Sequence, residues 1–224
     1  MAAYPMKIAK IAGRGLGVLS TRYLKPGQLI LQEMPFARVN KDAGSAESRA
    51  NPKVAKLMAR VVELASTGQF DPRSEYGSWP SEVVHCFEGV LEAQADMVFE
   101  GSSSDTQSKW MELSDVHAAD DKHKSPGGIL RTNGVDDAED HANLYSQMSR
   151  MNHSCAPNAV RVSTGDSGGV AVVARKQIDE GEEVMINYMD GADDGKPVEQ
   201  RRKHLMQQYT FHCTCPLCMS QETK

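Results

Sequence analysis

The sequence predicts an α+β fold in which short strands at both ends of the chain bracket a helical middle. Two observations lead there. Residues Lys7 to Val39 and again those after Leu144 run in short apolar stretches broken by tight glycine and proline turns, whereas helical spacing of apolar residues is confined to the stretch between. Strands and helices also do not alternate as βαβ units would require, and no internal repeat is present.

Taken in order, Gly13-Arg14-Gly15-Leu16-Gly17 reads as a tight turn between strands, and a Pro26-Gly27 turn precedes the strand Leu29-Ile30-Leu31. Asn51-Pro52 has the form of an N-cap followed by proline at the first helical position; Val54, Leu57, Met58, Val61, Val62 and Ala65 then repeat at helical spacing as far as Gly68. Pro80 opens a second helix with Val83, Val84, Phe87, Val90, Leu91, Gln94 and Val98 on one stripe, stopped by Gly101-Ser102-Ser103-Ser104. Asp115 to Asp140 is polar, contains Pro126-Gly127-Gly128, and is expected to be mostly loop. Beyond Leu144, Ala159–Val162 and Val170–Ala174 flank the glycine-rich Thr164–Gly169 as a hairpin, Glu183 to Tyr188 forms another strand, and Pro197 starts a last helix.

A chain of 224 residues with 40% hydrophobic and 25% charged content can bury one substantial core with a smaller appendage. Its net charge of −5 argues against direct nucleic-acid binding and allows a basic peptide partner. No apolar run approaches the ~20 residues of a membrane helix, and Met1 to Lys10 lacks a signal-peptide core, so an intracellular protein of nucleus or cytoplasm, with no membrane partner, is expected.

The chemistry-bearing residues are concentrated. Cys213-Thr214-Cys215-Pro216-Leu217-Cys218 places three thiolates where they can converge on one ion, and a structural zinc requires four. The fourth could come from Cys155, Cys86, His212 or His153. His212 is too close to Cys213 to reach the same ion without strain, Cys86 sits on a helix stripe as an inert core residue, and Cys155 is favoured. Cys155 lies in Arg150-Met151-Asn152-His153-Ser154-Cys155-Ala156-Pro157-Asn158, a tight irregular segment of the kind that carries function. Gly181-Glu182-Glu183-Val184-Met185-Ile186-Asn187-Tyr188 ends in a tyrosine that by itself would be read as a half-buried aromatic.

Together and in this order, these elements resemble the SET-domain lysine methyltransferases, in particular the SMYD-like and related fungal-type branch. The glycine turn resembles the opening motif, Arg150 to Asn158 the R-x-N-H-S-C-x-P-N motif, Gly181 to Tyr188 the G-E-E motif ending in tyrosine, and Tyr209-Thr210-Phe211-His212-Cys213 onward the post-SET segment. The resemblance implies a SET fold of small antiparallel sheets with a pseudoknot, a helical insertion and a zinc-binding post-SET segment. The corresponding parts are residues 1–40 and 144–190 for the SET domain, 41–143 for the insertion and 191–224 for the post-SET segment. It implies S-adenosylmethionine as cofactor, touched by Arg14, Gly15, Gly17, Asn133, Asn152, His153, Tyr188 and Phe211, with Tyr188 at the methyl-transfer point and Tyr209 lining the lysine channel. Cys155, Cys213, Cys215 and Cys218 would hold the zinc. The partner implied is a protein or peptide carrying a lysine, with histone a candidate; the alternative is a catalytically silent SET domain acting as a zinc-stabilised binding module. No MYND finger stands between the opening motif and the helices, and no C-terminal helical domain is expected after Lys224.

Overall fold

A computed structural model describes residues 3–74, 76–189 and 195–222, and the boundary expected at 190/191 lies outside them. Contacts divide the chain into two units, one of the residues up to Phe36 together with those from Tyr145 onward, the other Ala37–Leu144.

The first unit opens as the glycine turn dictates. Strands β1 (Met6–Ile11) and β2 (Gly15–Ser20) form an antiparallel hairpin with Ile11 opposite Gly15, and Gly15 takes a left-handed φ of 75° that a side chain would resist. The Pro26-Gly27 turn leads into β3 (Leu29–Glu33).

The second unit begins with β4 (Ala37–Asn40) and a short α1 (Ala46–Ala50). Helix α2 (Pro52–Ser66) is capped as predicted: the Asn51 side-chain oxygen accepts from the Lys53 and Val54 N–H groups. Helix α3 (Ser81–Glu100) follows Pro80, but its fully buried face is Val83, Cys86, Val90, Ala93, Gln94 and Ala95, while Val84, Leu91 and Val98 stay partly exposed. Small residues are favoured there because α3 packs both on α2 and on a further helix. Cys86 is a core residue beside Val61, Leu64, Phe70 and Val83, as expected.

Two helices correct the sequence expectation. Ser103, expected to sit in a stop, instead caps α4 (Ser104–Glu112), and the expected loop from Asp115 to Asp140 contains α5 (Pro126–Asn133), capped by Ser125 with Pro126 in its first turn. Gly127 and Gly128 disguise α5, since each costs about 1 kcal/mol of helix propensity relative to alanine. Packing explains them: a Cβ on Gly127 would lie 2.8 Å from the Glu92 Cα on α3, and one on Gly128 would lie 2.1 Å from the Asp115 carboxylate. Strands β5 (Val135–Asp136) and β6 (His141–Leu144) complete an antiparallel sheet of order β4-β6-β5, so the insertion is not purely helical.

Back in the first unit, β7 (Asn152–His153), β8 (Ala159–Ser163), β9 (Val170–Ala174) and β10 (Met185–Ile186) follow. The predicted hairpin is β8–β9, and β3 joins its free edge to give the order β3-β9-β8. The strand expected over Glu183–Tyr188 shortens to two residues and pairs in parallel with β7, an exception among otherwise antiparallel sheets. Side chains have taken its ladder donors: Met185 N–H donates to Asn158 Oδ1 at 2.8 Å and Tyr188 N–H to His153 Nδ1 at 3.0 Å. Helix α6 (Val198–Tyr209) starts after Pro197 as predicted, and Thr210 at φ 57° ends it. A helix not foreseen, α7 (Pro216–Glu222), carries Cys218.

Two predictions follow from the second unit. Gly127→Ala should lower stability by about 1–3 kcal/mol in denaturant titration, because crowding α5 against α3 outweighs the gain in helix propensity. Burial opposes ionisation of Asp137, but hydrogen bonds from Asn143, Arg38 and the His141 and Glu139 N–H groups hold its carboxyl well below the usual range. Its contribution is therefore present above the unfolded value of about 4 and lost as pH falls below it, so the stabilities of the wild type and Asp137→Asn should differ at neutral pH and converge in acid.

Candidate active site and metal centre

The metal centre is assembled from two ends of one unit. Cys155, Cys213, Cys215 and Cys218 are all buried, and their sulfurs lie within 4.8 Å of one another. Cys155 Sγ is 3.9 Å from Cys213 Sγ and 3.5 Å from Cys218 Sγ. A tetrahedral zinc with bonds of about 2.3 Å has sulfur–sulfur edges of about 3.8 Å, so the four residues fit that ion. The hydrogen bond between them pushes the Cys155 thiol far up and pulls Cys213 down, a conflict that a dication relieves by stabilising every thiolate. Arg201, buried, donates through Nη2 to Cys218 Sγ at 3.4 Å, and Arg202 Nε donates to the Cys213 carbonyl at 2.9 Å. Both place positive charge beside the sulfurs. Of the other candidates for fourth ligand, His212 is largely exposed, and neither it nor His153 is among the residues whose ligand atoms all lie within 4.8 Å of one another. A second grouping that could hold a cation, Asp137, Glu139 and His141, already has a cationic partner in Arg38, which bonds both carboxylates at 2.9 Å.

Four and two residues before Cys213, Tyr209 and Phe211 meet Tyr188 and His153. Ring centroids are 4.8 Å apart for Tyr188–Tyr209, 5.3 Å for His153–Tyr188 and 5.9 Å for His153–Phe211. The Tyr188 hydroxyl donates to the Met151 carbonyl at 2.7 Å. Having spent its only proton, that oxygen can act toward a ligand as an acceptor alone. Burial, followed by the charges of Tyr209 and Glu183, pushes the phenol further up from its already high range, so it remains neutral at physiological pH.

The glycine turn reaches the same region through Glu183. Its carboxylate accepts from Arg14 Nη1 at 3.1 Å and from Asn152 Nδ2 at 2.7 Å, and Asn152 also donates to the Leu16 carbonyl. Gly17 is required by this crowding, since a Cβ there would lie 2.8 Å from both Asn152 Nδ2 and Glu183 Oε1. The predicted residues Arg14, Gly15, Gly17, Asn152, His153, Tyr188, Tyr209, Phe211 and the four cysteines thus all belong to the first unit. Asn133 belongs to the second, where its amide donates to the Ser114 and Ile129 carbonyls. Sequence reasoning missed Glu183 and Asn158 as organisers. Asn158 Nδ2 donates to Glu182 and to the Glu183 carbonyl, binding one motif to the other. The signal lay in the motifs themselves, which end in that asparagine and contain that glutamate.

The SET-domain family matches residues 15–189, and the chain belongs to that family. Among curated relatives, the histone-lysine N-methyltransferase SET5 of Yarrowia lipolytica is 32% identical over 111 residues, covering 49% of this chain and 24% of that protein. The protein-lysine N-trimethyltransferase SMYD5 of Gallus gallus is 33% identical over 101 residues, 45% of this chain and 22% of that one. The histone-lysine N-methyltransferase SMYD3 of Mus musculus is 40% identical over 79 residues, 35% and 17% of the two chains. The alignments therefore span about a quarter or less of each relative's length.

Elemental analysis of the purified protein should find one zinc per chain held by four thiolates. Cys155→Ser should weaken metal retention at least tenfold in a competition titration with a chelator, as loss of one of four ligands requires.

Proposed function

We propose that this chain is the SET domain of a protein-lysine N-methyltransferase that moves a methyl group from S-adenosylmethionine to the Nε of a lysine on a protein substrate, with basic histone tails as the substrate class. The observation that carries the proposal is the Tyr188 hydroxyl, committed as donor to Met151 and set among the rings of Tyr209 and His153. The acidic balance of the chain suits a basic peptide.

The residues fit the donor chemically. Phe211 offers an aromatic face for a purine, Asn152 a side-chain amide beside Arg14, and Gly15 a backbone with open space next to it. Both ring nitrogens of His153 are engaged, so any contact it made with a cofactor would come from its backbone. When bound, S-adenosylmethionine supplies an electrophilic methyl on a sulfonium; the remainder of the task falls to the chain.

The nucleophile must be a neutral amine. At pH 7.4 a lysine with pKa near 10.4 is neutral to about one part in a thousand, a deficit of roughly 4 kcal/mol. Walls of tyrosine lower that pKa by desolvating the ammonium form, and a fixed acceptor at Tyr188 Oη orients an N–H so that the lone pair faces the methyl. Tyr188 acts as a positioning acceptor and not as a base, because its phenolate is disfavoured by burial and by the neighbouring charges. Zinc held by Cys155, Cys213, Cys215 and Cys218 would serve structure, keeping Tyr209 and Phe211 against Tyr188.

Transfer of labelled methyl to histone peptides, read by mass spectrometry, tests the activity, and its absence across a protein library would leave the silent binding module. Tyr188→Phe should retain cofactor binding by calorimetry while kcat falls about ten- to a hundredfold from lost alignment. The rate should climb with pH as the bound amine deprotonates, without a falling limb from Tyr188 below about pH 10.

A further inference from the structure

The ring of His153, only 6% exposed, stands between the thiolate cluster and Tyr188. Its Nδ1 is 3.0 Å from the Tyr188 backbone nitrogen and its Nε2 is 3.2 Å from Cys155 Sγ. A backbone N–H can only donate, so Nδ1 must accept and carries no proton. The neutral ring then keeps its one proton on Nε2, facing the sulfur, and an N–H···S bond to a thiolate is charge-assisted. The segment that carries this histidine also provides the Met151 carbonyl that accepts from the Tyr188 hydroxyl at 2.7 Å. Tyr188 is therefore gripped at both ends by Met151 and His153, and its ring packs on the imidazole at 5.3 Å.

We propose that His153 is a positioning residue that ties Tyr188 to the metal–thiolate cluster through its Nε2–H tautomer. It rests on the proposed function for its effect on turnover, and not for the tautomer. With Nδ1 and Nε2 both occupied, the imidazole has no lone pair free to take a proton from lysine, so it is not the base. It is also not part of the metal-capable group, which is the four thiols whose sulfurs all lie within 4.8 Å of one another. The N–H···S bond fixes the direction of the Cys155 thiolate and stiffens the backbone from which Tyr188 projects.

NMR of the chain with labelled histidine, loaded with NMR-active cadmium in place of zinc, decides the matter. His153 should show a protonated Nε2, a bare Nδ1 and a scalar coupling from Hε2 to cadmium through the Cys155 sulfur. A protonated Nδ1, a doubly protonated ring or no coupling overturns the proposal. Two variants separate the halves of the strut, since His153→Gln keeps a donor near the Nε2 position and His153→Asn keeps an acceptor near the Nδ1 position. His153→Gln should hold its full metal content yet lose about tenfold in kcat at unchanged peptide KM, whereas His153→Asn should shift the cadmium resonance and lose less in kcat. Unchanged kcat in metal-loaded His153→Gln, or equal losses in both variants, would also overturn it. If the wild-type chain transferred no methyl at all, the proposed function would fall while the NMR result still decided the tautomer.

Discussion

The meeting of Cys155 with the sulfurs of Cys213, Cys215 and Cys218 is the contact on which the site depends. It brings together sulfurs separated in sequence by 58 residues in the case of Cys155 and Cys213. Only one residue separates Phe211 from Cys213, and Tyr209 is the last residue of α6, so wherever the sulfurs are held the two aromatics follow. The same cluster buries Met189 and Leu205, with Val198, Tyr209, Phe211 and Leu217 packed against it, which makes a small apolar core out of what would otherwise be a repulsive group of thiolates. A tetrathiolate zinc carries net negative charge, and the guanidinium of buried Arg201 beside Cys218 offsets part of it.

A second tie works by hydrogen bonds. Asn158 and Glu183 join the central motif to the segment ending at Tyr188: the Asn158 amide bonds the Glu183 carbonyl and the Met185 N–H, and the Glu183 carboxylate accepts from Asn152. Asn158, with His153, also explains why β10 is so short: the Met185 and Tyr188 N–H groups that would have extended the ladder are already used. Nearby, the Glu33 carboxylate accepts from three successive N–H groups at Ser146, Gln147 and Met148, holding the turn that enters the central motif. Burial nonetheless leaves Glu33 with a raised pKa against those three lowering bonds.

Much of this was legible in the sequence where covalent chemistry or a cap imposes a local rule. Asn51-Pro52 announced α2, Pro197 announced α6, and the cysteine spacing announced a sulfur cluster that Cys155 joins. The sequence was opaque where a tertiary contact overrides local preference. Gly127 and Gly128 read as loop because glycine disfavours helix, yet both lie in α5, where α3 comes too close to Gly127 and the Asp115 carboxylate too close to Gly128 for any side chain. The stripe on α3 was misjudged because a helix packed on two sides buries small residues that a single-sided pattern ignores. The motif residues were visible as candidates, but that the Tyr188 hydroxyl spends its proton on Met151 could not be read from spacing, since it depends on the parallel pairing of β7 with β10.

The split composition of the first unit has a consequence for how the chain folds. Strand β3 pairs with β9, joining Leu29 to Val173 across the whole of the second unit. Such closure costs little in equilibrium stability, as loop entropy grows only by about 0.6 kcal/mol per doubling, but distant pairings slow the search for the native state. During synthesis the contiguous residues 37–144 can complete their own contacts first. The first unit must wait for Cys218, which follows the whole of the second unit in sequence, before its last sulfur is available. Its assembly is thus a late event, and one that the supply of metal can gate.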